Sequence, residues 1–73
     1  MDAEAAAATT KFCLSRIRQT LDQAASIARA ADACSEAGNP EKAVEIALDV
    51  EQLMYEAGTL LNAASLLNRI CET

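Results

Sequence analysis

Apolar residues recur through the second half of this chain at alternating steps of three and four. From Ala43 the series runs through Ile46, Val50, Leu53, Ala57, Leu60, Ala64 and Leu67 to Cys71 without a polar member. That spacing holds one stripe of a helix toward a neighbour for about eight turns. Ala43, Ala57, Ala64 and Cys71 share one heptad position with Val50, and Ile46, Leu53, Leu60 and Leu67 share the other. Layers of this kind suit two antiparallel helices at close range, because a large side chain of one can lie over a small one of the other. The first half answers with Leu14, Ile17, Leu21, Ala24, Ala28 and Ala31, widened along one side by Cys13, Ile27 and Cys34. This stripe is bulky early and small late, so the helices are expected to approach most closely near the turn that joins them.

The turn is written in "SEAGNPEKAVEIA", Ser35 to Ala47. Gly38 can adopt the left-handed conformation that closes a helix, Asn39 can cap the next one, and Pro40 suits its first position. Glu41 then meets the positive end of the second helix dipole. The pattern predicts an all-α fold in one domain, 1–73, with helix 1 over about 5–37, a turn at 38–39 and helix 2 over about 40–71. At ~1.5 Å per residue each helix reaches about 45 Å, and so short a link folds them back as an antiparallel hairpin. Within this stretch "EAGNPEKAVE" resembles the inter-helix turn of tetratricopeptide repeats, with Gly38 and Ala43 at the matching glycine and alanine positions. The resemblance covers about ten residues and implies a helix-turn-helix. Ile27 and Ala31 stand where that repeat has a large aromatic and a glycine, and no second ~34-residue unit follows, so the stretch reads as a hairpin hinge.

Composition changes the picture in one respect. Half of the 73 residues are apolar, yet the only aromatic residues are Phe12 and Tyr55, so a core must be made from Ala, Leu, Ile and Val. A chain this short buries little surface alone and usually needs a staple or a partner. Cys13, Cys34 and Cys71 lack CxxC spacing and read as buried free thiols of a reducing compartment. Helix 2 carries more apolar surface than one neighbour can cover. Leu60, Leu61, Ala63, Leu66, Leu67 and Ile70 are the candidate oligomer interface, with Leu48 and Tyr55 adding area elsewhere, and a homodimeric four-helix bundle is the expected assembly.

Chemistry is sparse. The chain has no histidine, no glycine-rich phosphate loop and no paired nucleophile and base, so no catalytic residue, metal ligand or cofactor site is assigned and the protein is read as non-enzymatic. Asp32, Glu36, Glu41, Glu45 and Asp49 form an acidic group near the turn that reads as a solvated face. Lys11, Arg16, Arg18 and Arg69 gather at the open end with Phe12, and these five are the candidate partner-binding residues. An aromatic among basic groups can dock a protein or stack on a base, and the layout is similar to that of plasmid RNA-binding hairpin dimers. With a net charge of −5 the chain as a whole repels phosphates. The function expected is therefore protein–protein interaction, as a dimeric adaptor, regulator or chaperone-like subunit, with nucleic-acid binding as the alternative. "MDAEAAAATTKF" lacks the basic-then-apolar order of a signal peptide and no run approaches the ~20 residues of a bilayer span, so a cytoplasmic protein without membrane contact is expected.

Overall fold

The structure, a computed structural model, describes residues 2–72, with only the backbone of Glu72. Met1 and Thr73, the ends of the domain read from the sequence, lie outside them. Helix α1 runs Ala3–Glu36, α2 runs Pro40–Ala47 and α3 runs Asp49–Glu72. The two elements α2 and α3 are one bent helix, which returns antiparallel along α1, and all regular structure among the described residues is helical. At the start, the Asp2 carboxylate accepts the Ala5 N–H at 2.9 Å and satisfies one of the orphan donors of α1.

The hinge closes by paired backbone bonds. Gly38, at φ +88°, donates to the Ser35 carbonyl at 2.9 Å, and Asn39 donates to that of Cys34 at 3.1 Å. These two bonds define a Schellman termination. The Asn39 side chain then accepts from Lys42 N–H at 3.3 Å, and Pro40 takes the first position of α2. One residue thus ends α1 and begins α2.

The bend falls at Leu48, whose N–H still bonds to the Val44 carbonyl at 3.0 Å while Glu51 reaches back three residues to the Leu48 carbonyl at 3.2 Å. No proline or glycine lies within it, so composition offers no warning. The apolar series crosses the bend unbroken, from Ala43 and Ile46 to Val50 and Leu53. All four are buried or half-buried.

The seam between the helices differs from the reading on one side. Ala43, Ala57 and Ala64 are buried and Ile46, Val50, Leu53, Leu60 and Leu67 half-buried, in the expected series. On α1 the inward residues are Ala6, Thr10, Cys13, Ile17, Thr20, Ala24, Ile27, Ala31 and Cys34. Leu14 and Leu21, expected in that seam, are 53% and 43% exposed, and Ala28 is exposed as well. Thr20, which the reading passed over, is 4% exposed. The cause is volume. Thr10 and Leu67 line one groove at the open end, and the turn brings Cys34 opposite Ala43. Stepping heptads between these anchors sets Cys13 against Ala64 and Thr20 against Ala57, small against small. Leucine in those layers would hold the helices apart, so α1 turns its leucines to the flank and brings Cys13 and Thr20 inward. Cys71, the last member of the series, is exposed, because the α1 residues around it, Ala3, Ala6 and Ala7, are too short to cover it.

Candidate functional site

The hairpin has two flanks. One is a groove of about 670 Å³ at the open end, with walls that include Ala7, Thr10 and Leu14 of α1 and Leu67 and Asn68 of α3. The other is a shallower cleft between Arg16 of α1 and Gln52, Tyr55, Glu56, Thr59 and Leu60 of α3. Since positions seven apart share a row on a helix in a heptad frame, these linings sort the rest of the surface. Leu14 and Leu21 belong with Ala7 on the first flank, and Met54 and Leu61 belong with Asn68 there. Ala63 and Ile70 follow Glu56 on the second flank, and Leu66 follows Thr59.

This sorting divides the candidate oligomer interface. Leu60 and Leu67 are half-buried in the seam, Leu61 is exposed on the first flank, and Ala63, Leu66 and Ile70 are exposed on the second. Two apolar surfaces result. The first flank joins both helices, since Leu14 and Leu21 of α1 face the same way as Met54 and Leu61 of α3, the latter 54% and 58% exposed. Sequence reasoning missed this pairing because it assigned Leu14 and Leu21 to the seam. The signal that could have found it is the unbroken small residue row required opposite Ala57 and Ala64.

The five candidate partner-binding residues also divide. Lys11 and Arg18 line the first groove and Arg16 the second. Phe12 is 62% exposed, stands outside the seam and lines neither groove. Arg69 shares a row with Tyr55, at the outer edge of the second flank. Part of the charge is engaged locally: Arg18 donates to the Asp22 carboxylate at 3.1 Å, and Arg16 donates to the Gln19 side-chain oxygen at 3.4 Å. Both contacts are exposed, so their net contribution is small.

Among the described residues no three of Cys, Asp and Glu stand together in a way that could hold a metal ion, the acidic residues near the turn included. No buried side-chain nitrogen or oxygen there lacks a hydrogen-bond partner, and no helix is long and apolar enough to cross a membrane. The chain matches no family model, no curated protein and no solved structure.

Proposed function

We propose that this chain is a non-enzymatic interaction protein, a helical hairpin that completes its core against another helical surface, in the first instance a second copy of itself in a four-helix bundle. One observation carries the reading: among the described residues the hairpin encloses no side chain fully, and the buried ones are alanines, Cys13 and Thr20. Its accessible surface is 5343 Å², whereas a compact monomer of 7.7 kDa exposes about 4,300 Å². The surplus of roughly 1,000 Å² is comparable with the ~800 Å² per partner of a standard interface. The elongated shape and the exposed leucines are two sides of this surplus.

Nucleic-acid binding draws less support, because Lys11 and Arg18 lie on the flank opposite Arg16 and Phe12 faces neither groove. Sedimentation equilibrium at micromolar concentration, with thermal melts over a hundredfold dilution series, tests the interaction reading. A dimer mass and a midpoint that rises with concentration are expected. A folded monomer with a concentration-independent midpoint sinks it.

A further inference from the structure

We infer that the flank carrying Leu14, Leu21, Met54 and Leu61 is closed by the same flank of a second copy, with the two turns at opposite ends. The inference rests on the dimer reading and deepens it by assigning face and orientation. The choice of face follows from continuity. This flank draws large apolar side chains from both helices, whereas the opposite flank is interrupted by Arg16, Gln23 and Glu56. Its footprint is sufficient. The Cα trace measures 54 Å by 14 Å, roughly 750 Å² for one face, near the ~800 Å² that each partner contributes to a standard interface.

Orientation follows from the order of layers along the face. From the open end these are Ala7 with Asn68, Leu14 with Leu61, Leu21 with Met54, and Ala28 with Ala47. A two-fold axis between the second and third layers, perpendicular to the helices, maps large onto large and small onto small. The alanine-walled groove at the open end then receives the partner's turn end, where Val44 stands exposed at the rim. With both turns at one end, groove would face groove and leave a void. Charge agrees: Lys11 and Asp32 lie toward opposite ends of one heptad row on this flank, so opposed turns set the basic end against the partner's acidic end instead of acid against acid. Gly58 adds an independent sign. It lies in the middle of α3 beside Met54 and Leu61, where glycine weakens a helix, and a Cβ built on it meets nothing within 4 Å. The hairpin alone gives no reason for it. Near the proposed axis it lets one α3 approach the other.

The test uses the full chain. Leu61→Glu and Leu66→Glu place the same charge on opposite flanks of α3, at residues exposed in the hairpin, and sedimentation equilibrium reads the dissociation constant. Leu61→Glu is expected to weaken the dimer at least tenfold and Leu66→Glu by less than threefold. The reverse order, or equal effects, overturns the assigned face while leaving the interaction reading intact. A nitroxide amino acid in place of Ser35 reads the orientation: opposite turns give about 50 Å, from some 17 residues on each side of the axis at ~1.5 Å per residue. A separation below about 25 Å overturns the arrangement. A wild-type chain that stays monomeric overturns both inference and reading.

Discussion

At the scale of single residues, packing here is governed by the smallest side chains. The three cysteines sample the range of burial: Cys13 is buried in the seam, Cys34 is half-buried with its thiol donating to the Asn39 carbonyl at 3.6 Å, and Cys71 is exposed. Alkylation rate depends on access, so at dilutions where the hairpin is a single chain, timed iodoacetamide labelling followed by mass spectrometry should modify Cys71 first, Cys34 more slowly and Cys13 only when the hairpin opens. Labelling of Cys13 as fast as Cys71 would contradict the seam described here. A second residue tests the same seam by volume. Ala57 is 7% exposed and its layer partner is Thr20, so Ala57→Leu forces three carbons more into a closed layer. Urea unfolding should show a loss of about 1 to 3 kcal/mol, although leucine forms helix nearly as well as alanine. The second-half seam was readable because alanine and leucine alternate there without a polar member. The first-half seam was readable in part, at Ile17, Ala24 and Ala31 with Cys13, Ile27 and Cys34 beside them, but hydrophobicity favours Leu14 and Leu21 over Thr20. What decides the matter is the width that Ala57 and Ala64 leave, and that is a property of the opposite helix.

Elements were easier to read than contacts. The helix ends fall within two residues of the expected 5–37 and 40–71, and three of the four are fixed by a local signal: Asp2 caps α1, Gly38 closes it, and Asn39 with Pro40 begins α2. The bend at Leu48 has no such signal. It appears only as a change in backbone bonding within an apolar pattern that continues across it. The hinge permits a separable test of its two parts. Gly38→Ala puts a Cβ on a residue held at φ +88°, in open space, so its cost is conformational and should be about 1 to 2 kcal/mol. Asn39→Ala removes the side-chain acceptor from Lys42 N–H and should cost about 0.5 to 2 kcal/mol. Thermal unfolding at fixed protein concentration measures both. A Gly38→Ala chain as stable as wild type would mean that the hinge is not the left-handed termination described here.

At the scale of the whole molecule, the same small side chains that let the helices approach leave them without a core, and the surface surplus is the consequence. A dimer adds what the hairpin lacks, and its geometry can be probed through the native chemistry of the chain. Cys71 is exposed and sits on the last turn of α3, at the open end. A disulfide needs Cα atoms within about 7 Å. With turns at opposite ends the two Cys71 residues of a dimer are separated by about 27 residues of helix, or roughly 40 Å at ~1.5 Å per residue. Oxidation by diamide at concentrations where the dimer forms should therefore give no Cys71–Cys71 disulfide within it. A Cys71–Cys71 cross-link must join separate dimers, so on non-reducing gels it should grow with protein concentration and yield covalent pairs that run, in native solution, as assemblies of four chains. With turns at one end the two thiols lie at the same end of the bundle and a covalent dimer of unchanged native mass would form at any concentration above dissociation. Native mass after oxidation, read on the species whose linked peptides map to Cys71 of both chains, thus distinguishes the two orientations without any substitution in the chain.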